Sequence, residues 1–367
     1  MKRIRFVMLG GFLGAGKTTA IARLARHWAA AGKNVGLVTN DQAYGLVDTE
    51  SLRAQGFQVG EVTGACFCCK FNDLVATVEQ LSAERQPDII IAEPVGSCTD
   101  LAATVIEPLR HLHAGDFDVA PLAVLLKPDH GRKILSGEDG VGFSPKAAYI
   151  FLTQLEEADV VAINKIDQLD AAAREQLLRL VRERYPEKKV VAVSARHGEG
   201  FDELIASLES RGPAQSHTPE VDYDVYAAGE AELGWLNCRV DVESGGEAFA
   251  LDEALVDLVA RFARACRGAS AEPAHLKILA SSDGATAIAN LVSSDAAAEL
   301  SLASGAAVRG AELTINARIA VAPELLSELV KREVAAWSAA RGFSHAIADL
   351  QSFRPGRPVP THRMASL

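Results

Sequence analysis

The sequence lacks long hydrophobic runs, although 49% of its 367 residues are hydrophobic. No stretch reaches 18 consecutive apolar residues. A helix needs about 20 such residues to cross the hydrocarbon core of a bilayer. The sequence therefore predicts no transmembrane helix and no membrane partner.

The chain also has fewer positively than negatively charged residues. The chain has 37 Lys and Arg residues against 48 Asp and Glu residues, which gives a formal net charge of −11. Such an excess of negative charge disfavours general binding to the phosphates of nucleic acids or anionic lipids. We therefore expect a cytoplasmic protein with no nucleic-acid partner.

Cysteine is sparse, with six residues in the whole chain. In a reducing compartment so few thiols are more typical of metal ligands or buried core residues than of a disulfide framework. Three of the six nevertheless fall within four positions of the segment "GACFCCK", namely Cys66, Cys68 and Cys69. This local concentration needs a chemical explanation.

The order of apolar patterns indicates the fold class. Residues 1–212 alternate strand-like runs, such as "RIRFVMLGG" and "PDIIIAEPVG", with helical patterns such as "KTTAIARLARHWAAAG". Alternation of this kind predicts an α/β domain with a mostly parallel sheet flanked by helices. The β-branched run at 89–91 is typical of a strand buried on both sides.

The pattern changes at "RGPAQSHTPE", residues 211–220, which reads as a linker. Residues 221–345 then combine strand and helix patterns that predict a smaller C-terminal α+β domain. Residues 346–367 form a Pro-rich, basic tail, which we expect to be extended or mobile. No internal repeat of fixed period is present.

A phosphate-binding signature occupies the turn after the first predicted strand. The segment "GGFLGAGKT" matches G-x-x-x-x-G-K-T and precedes a predicted helix, which is the context that a P-loop requires. Backbone N–H groups of such a loop surround phosphate oxygens, and the helix N-terminus adds partial positive charge. The lysine reaches the β- and γ-phosphates, and the following hydroxyl ligates Mg²⁺. The predicted phosphate-binding residues are Gly11, Gly14, Ala15, Gly16, Lys17, Thr18 and Thr19.

A carboxylate follows a second buried strand. In "IIIAEPVG", Glu93 ends the strand where P-loop proteins usually place Asp, and we predict that it joins Thr18 at the Mg²⁺ site. Gly96 lies three residues further on, where its N–H can contact a γ-phosphate. The alternative for Glu93 is a solvated carboxylate at a strand end.

A third motif concerns the base. "VVAINKID" ends a later strand with Asn164, Lys165 and Asp167. A carboxylate at the last position accepts two N–H donors from guanine that adenine does not offer, and leaving it unpaired against adenine is costly. The backbone at Ser194 and Ala195 in "VAVSA" is predicted to contact the guanine oxygen. An ATP-using protein is the alternative.

The thiol segment suits a soft or borderline metal ion. In extended backbone, residues i and i+2 point to the same side, so Cys66 and Cys68 can bind one ion, and Cys69 can join if the chain turns. Three thiolates leave a fourth coordination position open, which permits transfer of the ion. Buried apolar thiols and a redox-sensing pair are the alternatives.

Taken in order, the P-loop, "TNDQAYGLVD", the CFCC segment, "EPVG" and "NKID" resemble the CobW-like P-loop GTPases, which are related to HypB and UreG. The resemblance covers residues 1–210 and implies hydrolysis of GTP to GDP and phosphate, with delivery of a transition metal to a client protein. Zn²⁺ is the expected ion, with Co²⁺ or Ni²⁺ as alternatives. The implied cofactors are GTP or GDP and Mg²⁺, and the implied catalytic residues are Lys17, Thr18, Asp48 and Glu93.

The resemblance also implies partners and shows departures. A client metalloenzyme or cofactor enzyme and a nucleotide- or metal-dependent homodimer are the expected partners. The family's "EPxGLA" reads "EPVGSC" here, so that Cys98 is either a loop thiol or an accessory ligand. Residues 131–148 are a longer segment than in the family, and the histidine-rich stretch of many relatives is absent. His111 and His113 are expected at the surface, and Cys238 and Cys266 in the core of the second domain.

Two other functions remain open at this point. The protein could be a GTPase that guards or reactivates a corrinoid or other cofactor-dependent enzyme, with structural or redox-sensing cysteines. It could also be a non-catalytic or ATP-using module that acts as a partner scaffold.

Overall fold

A computed structural model describes residues 2–42, 47–83, 85–136, 144–211, 217–294 and 296–365. The chain divides into two compact units. The first contains Met1–Gln42, Gly56–Gly229 and Arg357–Leu367, and the second contains Ala43–Gln55 and Glu230–Gly356. Parts of three predicted features lie outside the described residues: 43–46 of "NDQAYGLVD", 137–143 of the long segment, and 212–216 of the linker.

The strands, numbered in chain order, are β1 (Ile4–Gly11), β2 (Val35–Asp41), β3 (Gln58–Thr63), β4 (Ile89–Glu93), β5 (Phe117–Val119), β6 (Ala123–Leu126), β7 (Val160–Ile163), β8 (Lys189–Ala192), β9 (Gly234–Glu243), β10 (Phe249–Ala250), β11 (Pro273–Ser282), β12 (Ala285–Leu291), β13 (Glu299–Leu302), β14 (Ala307–Val308), β15 (Gly310–Ile319) and β16 (Ser344–Phe353).

The helices are α1 (Lys17–Ala30), α2 (Val47–Ala54), α3 (Phe71–Ser82), α4 (Glu107–Leu112), α5 (Pro128–Ser136), α6 (Pro145–Glu157), α7 (Ala171–Arg184), α8 (Phe201–Glu209), α9 (Tyr223–Glu230), α10 (Leu251–Gly268) and α11 (Pro323–Arg341). A π-helical turn, Ala102–Ile106, precedes α4, and a short 3₁₀ turn, Ile166–Gln168, follows β7.

The first unit contains the predicted parallel sheet. Its strand order is β3-β2-β4-β1-β6-β7-β8, and β5 pairs with β1. The paired strands are all parallel, with Val7 opposite Ile91 between β1 and β4. Residues 89–91 are buried, as the β-branched run predicted. The α/β fold class is therefore confirmed.

Helix α1 shows why the sequence alternates as it does. Ile21, Leu24 and Trp28 recur at helical spacing and are buried, so that one face of the helix packs into the core. The carboxyl ends of parallel strands meet at one edge of the sheet. The motif residues that follow β1, β4, β7 and β8 are thereby brought to that edge.

The second unit contains a six-stranded antiparallel sheet in the order β13-β12-β11-β15-β9-β16. Alternate residues of its strands form one core with the apolar faces of α10 and α11. Cys238 and Cys266 are buried in this core, as predicted. The smaller α+β unit is thus present.

Two segments differ from the sequence-based expectation. Residues 344–353 form strand β16 paired with β9, although the predicted tail begins at residue 346. Most side chains of β16 are exposed or half-buried, so the strand lacks the apolar alternation that signals one. Helix α2 groups with the second unit, where Val47 packs against Leu279 and Ile288.

Among the described residues, no helix is both long and apolar enough to cross a membrane.

Candidate functional site

The phosphate loop joins β1 to α1. Gly11, Gly14 and Gly16 have φ values of 136°, 75° and 91°, in the region that favours glycine. A Cβ at Gly16 would lie 2.5 Å from Nδ2 of Asn164. Because this is too close for a side chain, glycine is also required here for steric reasons. The buried Lys17 ammonium donates to the Gly11 carbonyl at 2.9 Å, which folds the side chain over the loop.

Thr18 and Glu93 meet at the predicted Mg²⁺ position. The Thr18 hydroxyl donates to Oε1 of Glu93 at 3.0 Å. Hydroxyl and carboxylate oxygens are the hard ligands that Mg²⁺ takes, so the residues present fit this ion. A Cβ at Gly96 would lie 3.0 Å from Nζ of Lys17, which places the Gly96 backbone beside the lysine.

The predicted guanine residues form one hydrogen-bonded group. Asn164 donates from Nδ2 to the Ala15 carbonyl at 2.7 Å and accepts from the Ala195 N–H at 2.9 Å. Asn164 therefore links the phosphate loop to the turn that contains Ser194 and Ala195. The Ser194 hydroxyl donates to Oδ1 of Asp167 at 2.6 Å and so orients its carboxylate.

The three clustered thiols lie together in the first unit. Their sulfur atoms are separated by 2.9 Å for Cys66 and Cys68, 3.4 Å for Cys66 and Cys69, and 3.7 Å for Cys68 and Cys69. Sulfurs bound at 2.3 Å to a tetrahedral Zn²⁺ would be about 3.8 Å apart. Each pair of sulfur atoms would therefore have to move apart by less than about 1 Å to hold such an ion. It is the one group of three or more His, Cys, Asp or Glu ligands close enough for a metal within the described part of the chain.

The three thiols differ in the direction of their pKa shifts. Contact with Cys68, and next with Cys69, holds the pKa of Cys66 well below its ordinary value. The same contact raises the pKa of Cys68, and contact with Cys66 raises that of Cys69 to about 11. Cys66 is therefore the first of the three to become a thiolate, the form that binds metals.

A residue that the sequence reasoning missed shapes this loop. Asn40, at the end of β2, donates from Nδ2 to the carbonyls of Val62 and Ala65, both at 2.8 Å. It also accepts from the N–H of Phe67 at 2.8 Å. The hydrogen bonds of this buried side-chain amide thus replace regular strand pairing in the segment just before Cys66. Its sequence signal is a polar residue at the end of an apolar strand.

The C-terminal tail also contacts the thiol loop. The Val359 N–H donates to Sγ of Cys69 at 3.3 Å. Thr361 donates from its backbone to the Cys68 carbonyl at 2.8 Å and from its hydroxyl to the Cys69 carbonyl at 3.0 Å. Arg363 pairs with the buried Asp100 at 2.9 Å. Composition predicts only an extended tail, because hydrogen bonds between residues so far apart in the chain leave no local sequence pattern.

The remaining candidates occupy separate places. Asp48 lies on α2 in the second unit, where its carboxylate pairs with Lys277, and its role near Mg²⁺ stays a prediction. His111 contacts a Glu107 oxygen at 3.2 Å, and His113 contacts Asp116 at 3.7 Å. The two histidines do not belong to the thiol cluster. Thr19 follows Thr18 in the first turn of α1.

The parallel sheet and the glycine loop with its lysine define a P-loop nucleotide-binding protein, and the Asn-Lys-x-Asp turn is its predicted guanine-binding element. The family model for the nucleotide-binding domain of CobW/HypB/UreG matches residues 5–192, slightly more than half of the chain. The chain belongs to this family, as the motif order predicted.

Individual relatives are more distant. A zinc chaperone CobW of Sinorhizobium sp. is 28% identical over 263 residues, covering 63% of this chain and 73% of that protein. The zinc chaperone YeiR of Escherichia coli K12 is 28% identical over 216 residues, covering 57% of this chain and 60% of that protein. Among solved structures, HypB from Helicobacter pylori in complex with nickel matches with a TM-score of 0.44 at 19% identity, covering 60% of this chain and 93% of that one.

Proposed function

We propose that the protein is a GTP-hydrolysing metallochaperone that binds a transition metal at Cys66, Cys68 and Cys69 and passes it to a client protein. The observation that carries this proposal is the placement of the three sulfurs. They lie within 4.8 Å of one another, in the same compact unit as the phosphate loop. A P-loop protein without metal cargo has no need for three convergent thiols.

The chain's own residues account for nucleotide binding and turnover. The backbone of Gly14, Ala15 and Gly16 surrounds the phosphates, and Lys17 moves from the Gly11 carbonyl to the β- and γ-phosphates. Asp167, oriented by Ser194, accepts the N–H groups of guanine. Both groups of residues follow strands of the same parallel sheet.

Thr18 and Glu93 would hold Mg²⁺. When bound, this ion neutralises charge on the phosphate oxygens during hydrolysis. Glu93 also ends the strand that leads to Gly96, whose N–H we expect to contact a γ-phosphate. The residues that hold the triphosphate thus continue directly into a turn that can respond to its loss.

Zn²⁺ is the proposed cargo. Thiolates favour Zn²⁺ and Cu⁺ over harder ions, and Co²⁺ or Ni²⁺ are the alternatives that tetrahedral sulfur also accepts. Relatives that carry the name zinc chaperone support this choice. We propose a metalloenzyme or cofactor enzyme as the client, and a homodimer that forms with nucleotide or metal as a second partnership.

The proposal predicts coupling between nucleotide and metal. Binding free energies at two linked sites change each other equally, typically by about 1–3 kcal/mol or roughly 5- to 150-fold. We expect Zn²⁺ to bind more tightly to the form with a non-hydrolysable GTP analogue than to the GDP form. Competition with a chromophoric chelator at constant Mg²⁺ measures both affinities.

Two variants serve as controls. Serine at Cys66, Cys68 and Cys69 should remove metal binding and retain guanine nucleotide binding, because the base contacts lie on other loops. Lys17→Ala should weaken triphosphate binding and so remove the nucleotide response, with the thiol site intact. Absence of Zn²⁺ binding in both nucleotide states would end the metallochaperone proposal and favour a GTPase that guards a cofactor enzyme.

A further inference from the structure

The C-terminal tail lies as an extended peptide across the cysteine loop and the segment after β4. The Thr361 N–H donates to the Cys68 carbonyl, and the Met364 N–H donates to the Ala103 carbonyl, each at 2.8 Å. More exposed and less exposed residues alternate along 358–365, as in an extended chain that lies along a surface. The surface that the tail contacts, called the tail-binding surface below, consists of Cys68, Cys69, Phe71, Asp100 and Ala103.

The cysteine-loop side of this surface accepts hydrogen bonds from the tail. The Cys69 sulfur accepts from the Val359 N–H at 3.3 Å, and the Cys69 carbonyl accepts from the Thr361 hydroxyl at 3.0 Å. Hydrogen bonds to the main chain of an extended peptide supply affinity, and side-chain contacts supply specificity. Most bonds on this side therefore suit any extended segment with free N–H groups.

Asp100 gives the surface its selectivity. Its fully buried carboxylate accepts from Nε of Arg363 at 2.9 Å and from the Tyr223 hydroxyl at 2.6 Å. A buried charge that loses its partner is strongly destabilising, so this carboxylate requires a cation. Asp100 also has a φ of 63°, a conformation that is rare outside glycine and is concentrated at functional positions such as ligand contacts. The surface therefore selects an arginine two positions after the residue that bonds the Cys68 carbonyl.

The same tail covers the exposed side of the sulfur cluster. Cys66 and Cys68 are 3% and 1% exposed, whereas Cys69 is half-buried. The Val359 N–H points at the Cys69 sulfur, and the Val359 side chain is 71% exposed. A protein that receives the ion therefore approaches from the side of Cys69, where the tail lies.

We propose that the tail-binding surface is a docking site for an extended, arginine-bearing segment of the client protein, and that the chain's own tail occupies it when no client is bound. This inference rests on the proposed function. Main-chain hydrogen bonds and the partly exposed Arg363 hold the tail, and a second peptide can supply both. Such a segment replaces the tail at Cys69 and brings the client to the sulfurs.

The tail is a strong competitor because it belongs to the same chain. A short flexible connection gives a tethered segment an effective concentration in the millimolar range. A free peptide of the same sequence should therefore bind the wild type weakly until the tail's own contacts are removed. Thr361→Pro removes an N–H and a hydroxyl, and Arg363→Gln removes the cation. The double substitution, called the tail variant below, leaves every residue of the tail-binding surface unchanged.

Peptide binding to the full chain tests the docking site. The probe is a fluorescent peptide with the sequence of residues 357–365, "RPVPTHRMA". We expect fluorescence anisotropy to show that it binds the tail variant roughly 10-fold more tightly than the wild type. A matched peptide that carries Arg363→Gln should bind the tail variant roughly 10-fold more weakly than the probe does. Equal affinity of the two proteins for the probe, or of the tail variant for the two peptides, would overturn the inference.

Extraction of Zn²⁺ by a chelator connects this surface to the sulfurs. The tail variant should lose Zn²⁺ several-fold faster than the wild type. The unlabelled probe peptide should restore slow extraction, and the peptide with Arg363→Gln should not. Both peptides retain His362, so chelation of the ion by their imidazole groups is equal. A probe that binds the tail variant without slowing extraction would overturn the connection to the metal site.

Sedimentation and metal binding separate the remaining outcomes. A wild-type dimer that the tail variant loses would assign the surface to the tail of a second copy and overturn the client assignment. Zn²⁺ binding by the three thiols without selective peptide binding would reject the docking site alone. Selective peptide binding by a protein that binds no Zn²⁺ would reject the metallochaperone proposal, and with it the client, whereas the peptide site would stand.

Discussion

At the residue scale, Asp167 has one well-defined environment. Its carboxylate accepts the Ser194 hydroxyl through Oδ1, at a turn that begins with Lys165 in a left-handed conformation of φ 59°. A non-glycine residue with positive φ marks a backbone held by its surroundings. The turn therefore presents the Asp167 side chain in a fixed direction.

Asp167→Asn should weaken GTP and GDP binding by about 1.5–3 kcal/mol, roughly 10- to 150-fold, because an amide cannot accept both guanine donors. The same variant should gain affinity for xanthosine nucleotides, whose ring carries a carbonyl in place of the guanine amino group. Titration with fluorescent nucleotides measures both effects. Asp170→Asn is a matched control, because Asp170 caps α7 through Ala173 and asparagine caps equally well. Equal affinity of wild type for GTP and ATP would contradict the guanine assignment.

His130 on α5 gives a pH dependence. Its imidazole is buried with an edge toward the Phe12 ring, and it faces the charges of Lys127, Lys133 and Lys165. Burial, and then these lysines, lowers the pKa of His130 to about 3. In the unfolded chain an ordinary histidine binds its proton near pH 6.5. The unfolded form thus gains a proton first as the pH falls, and the folded form loses stability below about pH 6.5.

We expect His130 to contribute about 2 kcal/mol to the loss of unfolding free energy between pH 7.5 and pH 5. His130→Gln should remove this part of the pH dependence, whatever its effect on stability at pH 7.5. Urea denaturation at several pH values measures the slope. His27→Gln, at an exposed histidine of α1 in the same unit, should retain the wild-type slope. An unchanged slope in His130→Gln would show that His130 binds its proton equally well in the folded and unfolded protein.

At the element scale, the tail is part of the thiol site. Residues 357–365 are hydrogen-bonded to the cysteine loop and to the segment after β4. The Val359 N–H points at the Cys69 sulfur, and N–H donors to a thiolate stabilise its charge. The aromatic contact of His362 with Phe71, at 5.1 Å between ring centroids, adds a further attachment.

Loosening the tail should hasten metal loss. Arg363→Gln removes the cation that pairs with the fully buried Asp100, whereas Arg357→Gln removes a pair with the exposed Asp224. Buried pairs contribute more than exposed ones when one partner is lost. We expect a chelator to extract Zn²⁺ several-fold faster from Arg363→Gln and at the wild-type rate from Arg357→Gln. Equal rates in all three proteins would show that the tail does not retain the ion.

At the scale of the whole molecule, the two units are not two consecutive stretches of the chain. The first unit consists of three separate segments and the second of two. The segment between β2 and β3 contains α2, which groups with the second unit. There the Val47 N–H donates to Oδ1 of Asn316 at 2.9 Å, and Asp48 pairs with Lys277. The motif segment "TNDQAYGLVD" therefore runs into a helix whose contacts described above are with residues of the second unit.

A double-mutant cycle tests the Asp48 pair. The two side chains are 26% and 21% exposed, so Asp48→Asn and Lys277→Met should show a coupling of about 1 kcal/mol in unfolding free energy. We also expect Asp48→Asn, but not Lys277→Met, to lower kcat for GTP hydrolysis, as the predicted role of Asp48 near Mg²⁺ requires. Equal kcat values for both single variants and wild type would limit Asp48 to the ion pair.

The sequence by itself determined the parts whose chemistry depends on local spacing. The phosphate loop, the strand-end Glu93, the Asn-Lys-x-Asp turn and the three clustered cysteines are all readable, because each must lie within a few residues of its neighbours to work. Alternation of buried strands and amphipathic helices was sufficient for the α/β class, since strands buried on both faces read as continuous apolar runs and amphipathic helices carry apolar residues at helical spacing.

Only the tertiary structure decided which distant segments meet. It placed the tail on the cysteine loop and α2 with the second unit. Such contacts join residues tens or hundreds of positions apart, and they arise from packing and single hydrogen bonds that leave no periodic pattern. The three sulfurs that can hold a metal therefore follow from local spacing, whereas the tail that is hydrogen-bonded to their loop is brought there by the fold.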